Sequence, residues 1–444
     1  MGLYFGTDGL RGKINEEISS DIAYKVGNAL GTIKPNAKVI IGGDTRKSRS
    51  LLTLSVCSGL INAGVDVVDV GICPTAGISY LTTKLGYDYG VVISASHNSG
   101  EYNGIKIFDK TGKKLGDKKE SELEKQFLHQ VAMPYNKIGQ YTYAPNLVKK
   151  YEEFLVKSIK TSLKGKTIVL DCACGASYKI APAVFRKHGA KIISTFCKPN
   201  GLNINEECGA TNVSKLQRYV LKYKADMGFA YDGDSDRLIA IDEKGNIVDG
   251  DQIMYMLAKV YKSENKLINP VVVGTRHTNM GVEKALNKIG IKLIRTDIGD
   301  KYVIQAMQEN NLQIGGEQSG HILVKDLLPT GDGILNSLLV AEILVKSKQK
   351  FSSYFDFENF VQTNINVKVC DKMRIINNEE LAKVIEQEEK LLGQDGRIMV
   401  RVSGTEQVIR IMVESLDREK ANKSAKVIEQ TILKLNRSFC VCVE

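Results

Sequence analysis

Three aspartates at alternate positions are the most distinctive chemical feature of the sequence. Asp232, Asp234 and Asp236 are separated only by glycine and serine. Carboxylates this close repel one another unless a cation lies among them, and hard oxygen ligands of this kind suit Mg²⁺. With Glu243 the spacing also matches an EF-hand loop, but Arg237 stands where that loop requires glycine, and an apolar strand follows. A solvated acidic turn is the remaining alternative, and we interpret the cluster as a magnesium site.

A serine follows a β-branched stretch in the first quarter of the chain. Val91–Ile93 predicts a buried strand, after which the chain turns small and polar. The carboxyl end of such a strand is where α/β folds build their sites. Ser94 should still be held in the strand, so we choose Ser96, at the break into the loop, as a covalent phosphate carrier. His97 and Lys106 are the candidates for general acid/base work; an ordinary polar surface loop is the alternative.

A third polar stretch combines a carboxylate, a hydroxyl and an imidazole. Glu317, Ser319 and His321 alternate, so an extended backbone would point all three side chains the same way. Such a set suits the hydroxyl groups of a sugar ring. A polar turn without a ligand is the alternative interpretation.

Two further stretches could bind anions. Arg401–Thr405 lies between two predicted strands, and its guanidinium, two hydroxyls and glycine-relaxed backbone suit a phosphate. A simple hairpin turn is the alternative there. Near the N-terminus, Phe5–Gly12 is too rich in glycine for the interior of a helix or strand. We predict that it folds over the site and offers Arg11 to an anion.

The elements that position these loops follow one plan three times. In each unit a strand, a helix, a glycine and a second strand precede a third strand that ends in a polar loop. The first strands of the units lie within Lys38–Arg46, Thr167–Gly175 and Val271–Thr275. This order is typical of mostly parallel sheets with helices on their faces. We therefore predict three related α/β domains, each contributing one loop of different chemistry.

The C-terminal part of the chain has a different pattern. It reads as a strand, a helix, two paired strands and a final amphipathic helix, at Ile365–Val369, Glu379–Leu392, Arg397–Val402 with Val408–Val413, and Arg418–Leu435. This order predicts a small α+β domain joined to the rest by a hinge.

Composition narrows the functional classes. The net charge of +10 raises the question of nucleic acid, but the densest basic stretch, Lys110–Lys119, is interleaved with Asp and Gly and lacks aromatic residues. Attraction of small anionic substrates explains the charge equally well. The nine scattered cysteines are interpreted as reduced thiols of a cytoplasmic protein. We expect no signal peptide and no membrane span.

Taken together, the loops resemble those of the α-D-phosphohexomutase family, over essentially the whole chain and in the family's order. The matching stretches are the serine loop Ser94–Lys106, the metal loop Asp232–Arg237, the sugar loop Gly316–His321 and the phosphate loop Arg401–Thr405. The resemblance implies four domains around a central cleft, at residues 1–150, 151–250, 251–362 and 363–444. The last would be similar to a TATA-box-binding-protein-like fold.

The resemblance also implies a role for individual residues. Ser96 would carry the phosphate and, with Asp232, Asp234 and Asp236, bind one Mg²⁺ per chain. To Ser96, the residues themselves add His97, Lys106, Arg11 and Arg237 as catalytic residues. The substrate-binding residues would be Glu317, Ser319, His321, Arg401, Ser403, Gly404, Thr405 and Arg410.

Several positions depart from the family's pattern. Ser99, Val402 and Gln407 stand where prolines are usual, Ser235 stands for a usual glycine, and Asn212-Val213 replaces a typical His-Pro. None of these removes a catalytic group. The lost prolines loosen two loops whose rigidity should aid positioning, so slower turnover or altered substrate preference is possible.

Within the family, the FGTDGLRG start, the GEQSGH loop and NGLNINEECGAT favour the branch that acts on hexosamine phosphates. The expected reaction interconverts glucosamine 6-phosphate and glucosamine 1-phosphate through a phosphoserine and a bisphosphate, with a sugar 1,6-bisphosphate as activator. A mutase for mannose or glucose phosphates, or a slow paralogue that binds sugar phosphates, is the alternative. We expect a cytoplasmic enzyme of amino-sugar metabolism and cell-wall precursor synthesis. It would have no nucleic-acid or membrane partner, with a homodimer as a possible assembly.

Overall fold

The computed structural model of the chain describes residues 5–6, 9–403 and 406–440. These residues group into two compact units. The first comprises residues up to 278 together with 289–355, and the second comprises 279–288 together with the residues from 356 onward. The predicted phosphate-binding residues Gly404 and Thr405 lie outside the described residues, as do Thr7 and Asp8 of the glycine-rich N-terminal segment.

The first unit opens with a seven-stranded sheet. Its strands are β1 (Phe5–Gly6), β2 (Gly9–Lys13), β3 (Lys38–Gly43), β4 (Asp66–Ile72), β5 (Tyr89–Ile93), β6 (Tyr102–Asp109) and β7 (Tyr141–Tyr143). The accompanying helices are α1 (Ser20–Ile33), α2 (Arg49–Asn62), α3 (Thr75–Leu85), α4 (Asp117–Lys125) and α5 (Val148–Ser158). The strand order is β1-β2-β6-β5-β3-β4-β7.

Two smaller sheets follow. The second sheet contains β8 (Thr167–Asp171), β9 (Lys191–Thr195), β10 (Met227–Tyr231), β11 (Leu238–Asp242) and β12 (Ile247–Val248). The third contains β13 (Val271–Thr275), β14 (Lys292–Thr296), β15 (Ile314–Gly316) and β16 (Ile322–Val324). The helices of this region are α6 (Ile180–Lys187), α7 (Ser214–Tyr223), α8 (Gly250–Ser263), α9 (Met280–Lys288), α10 (Asp300–Glu309) and α11 (Gly333–Ser347).

The three sheets share the predicted plan. In each sheet, the first strand of the repeated plan pairs in parallel with the second and third strands of that plan. The strand β3 pairs with β4 and β5, β8 pairs with β9 and β10, and β13 pairs with β14 and β15. A polar loop then leads into an antiparallel fourth strand: β6, β11 or β16. The prediction of three related α/β units is confirmed. Each polar loop thus starts at the carboxyl end of a parallel strand and turns sharply back.

Both faces of the first sheet are covered, which explains its apolar strands. Val39 and Ile41 of β3 face one core, whereas Ile40 faces the other, because successive side chains of a strand point to opposite sides. Val91 and Val92 of β5 divide in the same way. A strand buried on both faces reads as a continuous apolar run, which is the pattern that located it.

Glycines end the helices that follow the first strand of each unit, as predicted. Gly64, Gly189 and Gly290 all have positive φ, at 79°, 86° and 68°. Glycine adopts this left-handed conformation without steric cost, so it can reverse the chain directly after a helix.

The second unit is an α+β structure, as predicted. It contains β17 (Val361–Lys368), β18 (Gly396–Val402) and β19 (Val408–Ser415) in the order β17-β19-β18, all antiparallel, with α12 (Lys372–Ile376), α13 (Glu379–Leu392) and α14 (Arg418–Cys440). Ile409, Ile411 and Val413 of the central strand pack with Ile428 and Ile432 of the last helix. The helix α9 belongs to this unit: the Met280 amide donates to Glu414 at 2.8 Å.

The prediction that the cysteines are reduced thiols is wrong for one pair. A disulfide joins Cys370 to Cys440, with Cα atoms 6.3 Å apart. The two residues are 70 positions apart, and the fold brings the segment after β17 next to the end of α14. The other cysteines within the described residues are free thiols. In that same part of the chain, no helix is both long and apolar enough to cross a membrane.

Candidate active site

The serine loop and the aspartate loop meet at the ends of their sheets. Ser96 follows β5 and Asp232 follows β10, each at the carboxyl end of a parallel strand. The Ser96 hydroxyl donates to Asp232 Oδ2 at 2.6 Å, and both residues are buried. The metal loop also approaches the serine backbone closely, since a Cβ added at Gly233 would lie 2.6 Å from the Ser96 carbonyl oxygen. Only glycine fits at that position.

The backbone sets Ser96 apart from Ser94. The amide of Ser94 still pairs with the carbonyl of Gly104, so this residue continues the strand pairing. Ser96 has a φ of 51°, a left-handed conformation that is unfavourable for residues other than glycine. The Ser94 hydroxyl accepts the Ser96 amide at 2.8 Å and itself donates to Asp44 at 2.6 Å. The two serines therefore differ in geometry. Ser94 stabilises the loop, and Ser96 places its hydroxyl oxygen against the aspartates of the metal loop.

The three aspartates form a compact, buried oxygen cluster. One carboxylate oxygen from each of Asp232, Asp234 and Asp236 lies within 4.8 Å of the others. Burial and the two neighbouring carboxylates raise the pKa of Asp232 well above its ordinary value. Asp234 Oδ1 has no hydrogen-bond partner within the described residues. A buried acceptor of this kind, in an all-oxygen set, fits a hard divalent cation such as Mg²⁺.

A lysine lies against the same cluster. Lys106, in β6 opposite Val92, is buried, and its Nζ donates to Asp234 Oδ2 at 2.9 Å and to Asp236 Oδ2 at 3.2 Å. The ammonium thereby offsets part of the charge of the three carboxylates.

His97 is held in its uncharged form. Burial, with Arg237 and Arg11 nearby, lowers the pKa of His97 to about 4. Its Nδ1 lies 3.4 Å from the Ser96 hydroxyl oxygen. At neutral pH the imidazole can therefore accept a proton or a hydrogen bond beside Ser96, and the two arginines keep the surroundings positive.

Arg11 and Arg237 reach the site from different elements. Arg11 lies in β2, so the expectation that Phe5–Gly12 is too rich in glycine for a strand is wrong, because this segment pairs with β6. Arg11 Nη1 donates to Asn98 Oδ1 at 3.1 Å in the serine loop. The Arg237 amide donates to Asp232 Oδ1 at 3.2 Å at the end of the metal loop. The structure thus brings together Ser96 and all four other residues predicted to be catalytic.

The sugar loop does not have the extended backbone assumed from its alternation. Glu317–Gly320 forms a turn between β15 and β16, in which the Glu317 amide donates to the His321 carbonyl at 3.0 Å. Ser319 is exposed, whereas His321 is buried with Nε2 3.8 Å from Asp300 Oδ2. The expectation that Glu317, Ser319 and His321 all point the same way is wrong, because a hairpin turn reverses the chain between them.

Several residues that stabilise these loops by hydrogen bonds were not predicted from the sequence. The Thr75 hydroxyl donates to Asp234 Oδ2 at 2.6 Å, and the Thr75 amide donates to the Asp234 carbonyl at 3.0 Å, at the first residue of α3. Arg46, fully buried, pairs with Asp44 at 3.0 Å. A signal existed for Asp44 and Arg46, because two charged residues directly after a buried strand need partners in the fold.

Ser235 carries a conformational cost. Its φ is 65°, and its buried hydroxyl has no hydrogen-bond partner within the described part of the chain. We expect Ser235→Gly to raise the free energy of unfolding by about 1 kcal/mol, because glycine adopts this conformation without strain. Urea unfolding measures the change. Ser235→Ala is the control, since it removes the hydroxyl and keeps the strain, and a glycine variant less stable than wild type would contradict the explanation.

The phosphate loop lies in the second unit. Arg401 in β18 pairs across the ladder with Arg410 in β19, and burial together with Arg410 lowers the pKa of Arg401. Lys372 donates to the carbonyls of Ser403 and Glu406, at 2.7 and 3.1 Å. The fold therefore places two further cations, Arg410 and Lys372, beside Arg401.

Family comparisons cover almost the whole chain. Four domain families described as phosphoglucomutase/phosphomannomutase alpha/beta/alpha domains I, II and III and C-terminal domain match residues 2–132, 143–245, 249–360 and 365–430. The phosphoglucosamine mutase of Clostridioides difficile (strain 630) is 42% identical over 97% of this chain and 100% of its own length. That of Bacillus velezensis is 42% identical, with 94% of this chain and 96% of the relative covered.

Solved structures agree on the fold. A phosphoglucomutase/phosphomannomutase family protein from Burkholderia thailandensis superposes with a TM-score of 0.81 at 22% identity, covering 98% of this chain and 97% of its own. The N-acetylphosphoglucosamine mutase of Aspergillus fumigatus, solved with GlcNAc-6P and magnesium, gives 0.68 at 18% identity, covering 98% and 96%. The chain belongs to the phosphoglucomutase/phosphomannomutase family of phosphohexomutases.

Proposed function

We propose that this chain is a phosphoglucosamine mutase that interconverts glucosamine 6-phosphate and glucosamine 1-phosphate. Relatives of that name are about 42% identical over nearly its full length. The observation that carries the mechanism is the 2.6 Å hydrogen bond from the Ser96 hydroxyl to Asp232 within a buried cluster of three carboxylates. A hydroxyl at a metal-type oxygen cluster suits an enzyme that stores a phosphoryl group on serine.

Asp232, Asp234 and Asp236 would hold one Mg²⁺ together with an oxygen on Ser96. When bound, the ion would neutralise charge on the transferring phosphoryl group. Lys106 adds a fixed positive charge at Asp234 and Asp236. Because phosphoryl transfer requires mainly positioning and charge neutralisation, these residues supply what the reaction needs.

The transfer step exchanges one oxygen–phosphorus bond for another. The bond from phosphorus to Ser96 Oγ breaks as a bond forms to the 1- or 6-oxygen of the sugar, and the sugar's hydroxyl proton ends on Ser96 Oγ. His97, uncharged and 3.4 Å from that oxygen, is placed to accept and return this proton. Lys106 is the second candidate for this work. Arg11 and Arg237 would attract the phosphate group from the sides of the serine and metal loops.

The resulting bisphosphate must turn round before the other phosphate returns to Ser96. A sugar 1,6-bisphosphate added from outside would therefore act as an activator, since it can phosphorylate Ser96 directly. A separate site must hold the phosphate that is not reacting. We assign this role to Arg401, Ser403, Gly404, Thr405 and Arg410, with Glu317, Ser319 and His321 for the sugar.

The same proposal includes the domain boundaries, the cellular location and the assembly of the protein. The domains would span residues 1–150, 151–250, 251–362 and 363–444, with the last moving on a hinge during capture and reorientation. The enzyme would act in the cytoplasm on a small hexosamine phosphate as part of amino-sugar metabolism for cell-wall precursors. A homodimer is the proposed assembly.

Arg401→Ala tests the phosphate loop. Removing a charge-assisted contact with phosphate should cost about 1.5–3 kcal/mol of binding, which is about 10- to 100-fold in kcat/KM, expressed mainly in KM. Steady-state kinetics with glucosamine 6-phosphate measure it. Arg418→Ala, at an exposed arginine in the first turn of α14, is the matched control. Equal kcat/KM in the two variants, with folding intact, would reject the assignment.

A substrate panel tests the proposed function. Glucosamine 6-phosphate, glucose 6-phosphate and mannose 6-phosphate are compared in the presence of Mg²⁺ and the matching 1,6-bisphosphate. We expect kcat/KM to be highest for the amino sugar, by about 10-fold or more, because a site that pairs the charged 2-amino group leaves its acceptors less well paired by a neutral 2-hydroxyl. A higher value for mannose 6-phosphate would overturn the substrate assignment. Thermal shifts without turnover of any of the three would favour a sugar-phosphate-binding paralogue.

A further inference from the structure

The asparagine-rich segment between β9 and α7 contacts the serine loop. The side chain of Asn205 donates from Nδ2 to the carbonyl oxygens of Ser96 and Asn98, at 2.9 Å each. Nearby, a Cβ added at Gly100 would lie 2.6 Å from the Leu202 carbonyl oxygen, so the two backbones pack closely. The segment that follows β9 in the second sheet therefore contacts Ser96, which follows β5 in the first sheet.

Arg46 donates hydrogen bonds to the same two carbonyl oxygens. Its Nη2 donates to the carbonyl oxygens of Ser96 at 3.0 Å and Asn98 at 2.7 Å. Each carbonyl therefore accepts one bond from a guanidinium and one from an amide. Asp44 fixes the guanidinium through Nε at 3.0 Å. The backbone of Ser96 is thus held by donors from two different domains of the first unit.

Two features explain why the loop needs such a clamp. Ser96 has a left-handed backbone conformation, which persists only where surrounding contacts over-determine it. In addition, residue 99 is a serine, so the loop lacks the intrinsic restraint that a proline would give at this position. Arg46 Nη1 donates to the carbonyls of Ser99 and Tyr102, the latter at 2.9 Å. Hydrogen bonds hold the segment that proline would otherwise stiffen.

Asn205 is itself well placed for this task. Its φ is 58°, a conformation that asparagine tolerates better than most residues, and its amide donates to the Ala173 carbonyl at 2.9 Å. Its Nδ2 also lies 3.0 Å from the position that a Cβ would take at Gly233 in the metal loop. The side chain thus lies where the serine and metal loops meet.

We propose that Asn205 is a positioning residue for phosphoryl transfer, which together with Arg46 fixes the Ser96 oxygen relative to the aspartate cluster. This inference rests on the proposed function and deepens it, because it concerns the step in which Ser96 gives or receives the phosphoryl group. The Asn205 side chain donates to backbone carbonyls of the serine loop, so its effect should appear in turnover and not in substrate binding.

The test compares Asn205→Ala and the near-isosteric Asn205→Asp with Asn212→Ala. Asn212 is an exposed asparagine of the same segment, and its side chain contacts Ser214. We expect kcat to fall about 10- to 100-fold in both Asn205 variants with KM within about 2-fold, the scale of a misplaced reacting group. Asn212→Ala should match wild type. Hydrogen exchange of residues 94–103 should accelerate only in the Asn205 variants.

The outcomes separate the two proposals. Asn205 variants with kcat equal to that of Asn212→Ala, or with a raised KM and unchanged kcat, would overturn the positioning role. Unchanged exchange of residues 94–103 would overturn the clamp itself. If wild-type protein turned over no sugar phosphate, the proposed function would fail, and the exchange experiment would still test the clamp because it needs no substrate.

Discussion

Replacing Ser96 with alanine is expected to lower kcat/KM for glucosamine 6-phosphate by about 10⁴-fold or more, the scale of removing a covalent nucleophile. The hydroxyl lies 2.6 Å from Asp232 and next to an uncharged imidazole. No other hydroxyl takes this position relative to Asp232 within the described residues. Coupled assays of glucosamine 1-phosphate formation, with the 1,6-bisphosphate present, measure the loss.

Ser94→Ala is the matched control. The Ser94 hydroxyl accepts a hydrogen bond from the Ser96 amide and donates one to Asp44, so the substitution removes ordinary hydrogen bonds of the loop. We expect a decrease of about 5-fold, consistent with about 1 kcal/mol for such a contact, and much of the activity should remain. Near-normal turnover by Ser96→Ala, or a larger loss in Ser94→Ala, would reverse the assignment of the two serines.

Removing divalent cations is expected to lower turnover by about 10³-fold or more, since a bound metal contributes several kcal/mol to stabilising transferred charge. The triad is buried, and Asp234 Oδ1 has no hydrogen-bond partner among the described residues, so the protein itself does not complete this oxygen set. Activity after exhaustive chelation, and after Mg²⁺ is restored, measures the effect.

The control for chelation separates catalysis from folding. Circular dichroism before and after chelation should be unchanged, and the melting temperature should rise when Mg²⁺ is added, because ligands that bind the native state stabilise it. Asp234→Asn should abolish this rise. Full activity in exhaustive chelator would contradict the metal assignment, whatever the state of the fold.

Much of the fold could be predicted because its signals are local. Buried parallel strands produce continuous apolar runs, and the polar residues after them mark the edge where sites form. Ser96 and Asp232 are both predicted in this way, although they are 136 positions apart in the chain. In the structure they form a hydrogen bond. The glycines after three helices were predictable for the same local reason.

The remaining features depend on which segments meet in three dimensions. Nothing in the local sequence around Asn205 indicates that its amide reaches the Ser96 carbonyl, 109 positions away. The sequence left an extended stretch and a turn both open at Glu317–Gly320, because alternation of polar residues is common to strands and hairpins. Lys372 reaches the Ser403 carbonyl from α12, a contact that sequence spacing does not reveal.

The disulfide between Cys370 and Cys440 shows the same limit. With nine cysteines, pairing cannot be deduced from sequence alone. The composition instead favoured reduced thiols, and it did so correctly for the free cysteines of the described residues.

The most direct test of the account is where phosphate is carried. Peptide mass spectrometry of the purified protein should find phosphate on Ser96, at least in part. Addition of glucosamine 6-phosphate to that phosphorylated protein should shift the phosphate from the peptide to the sugar as a bisphosphate. Phosphate on Ser94 instead, or a labelled phosphate on Ser96 that does not exchange into sugar phosphate during turnover, would contradict the proposed mechanism.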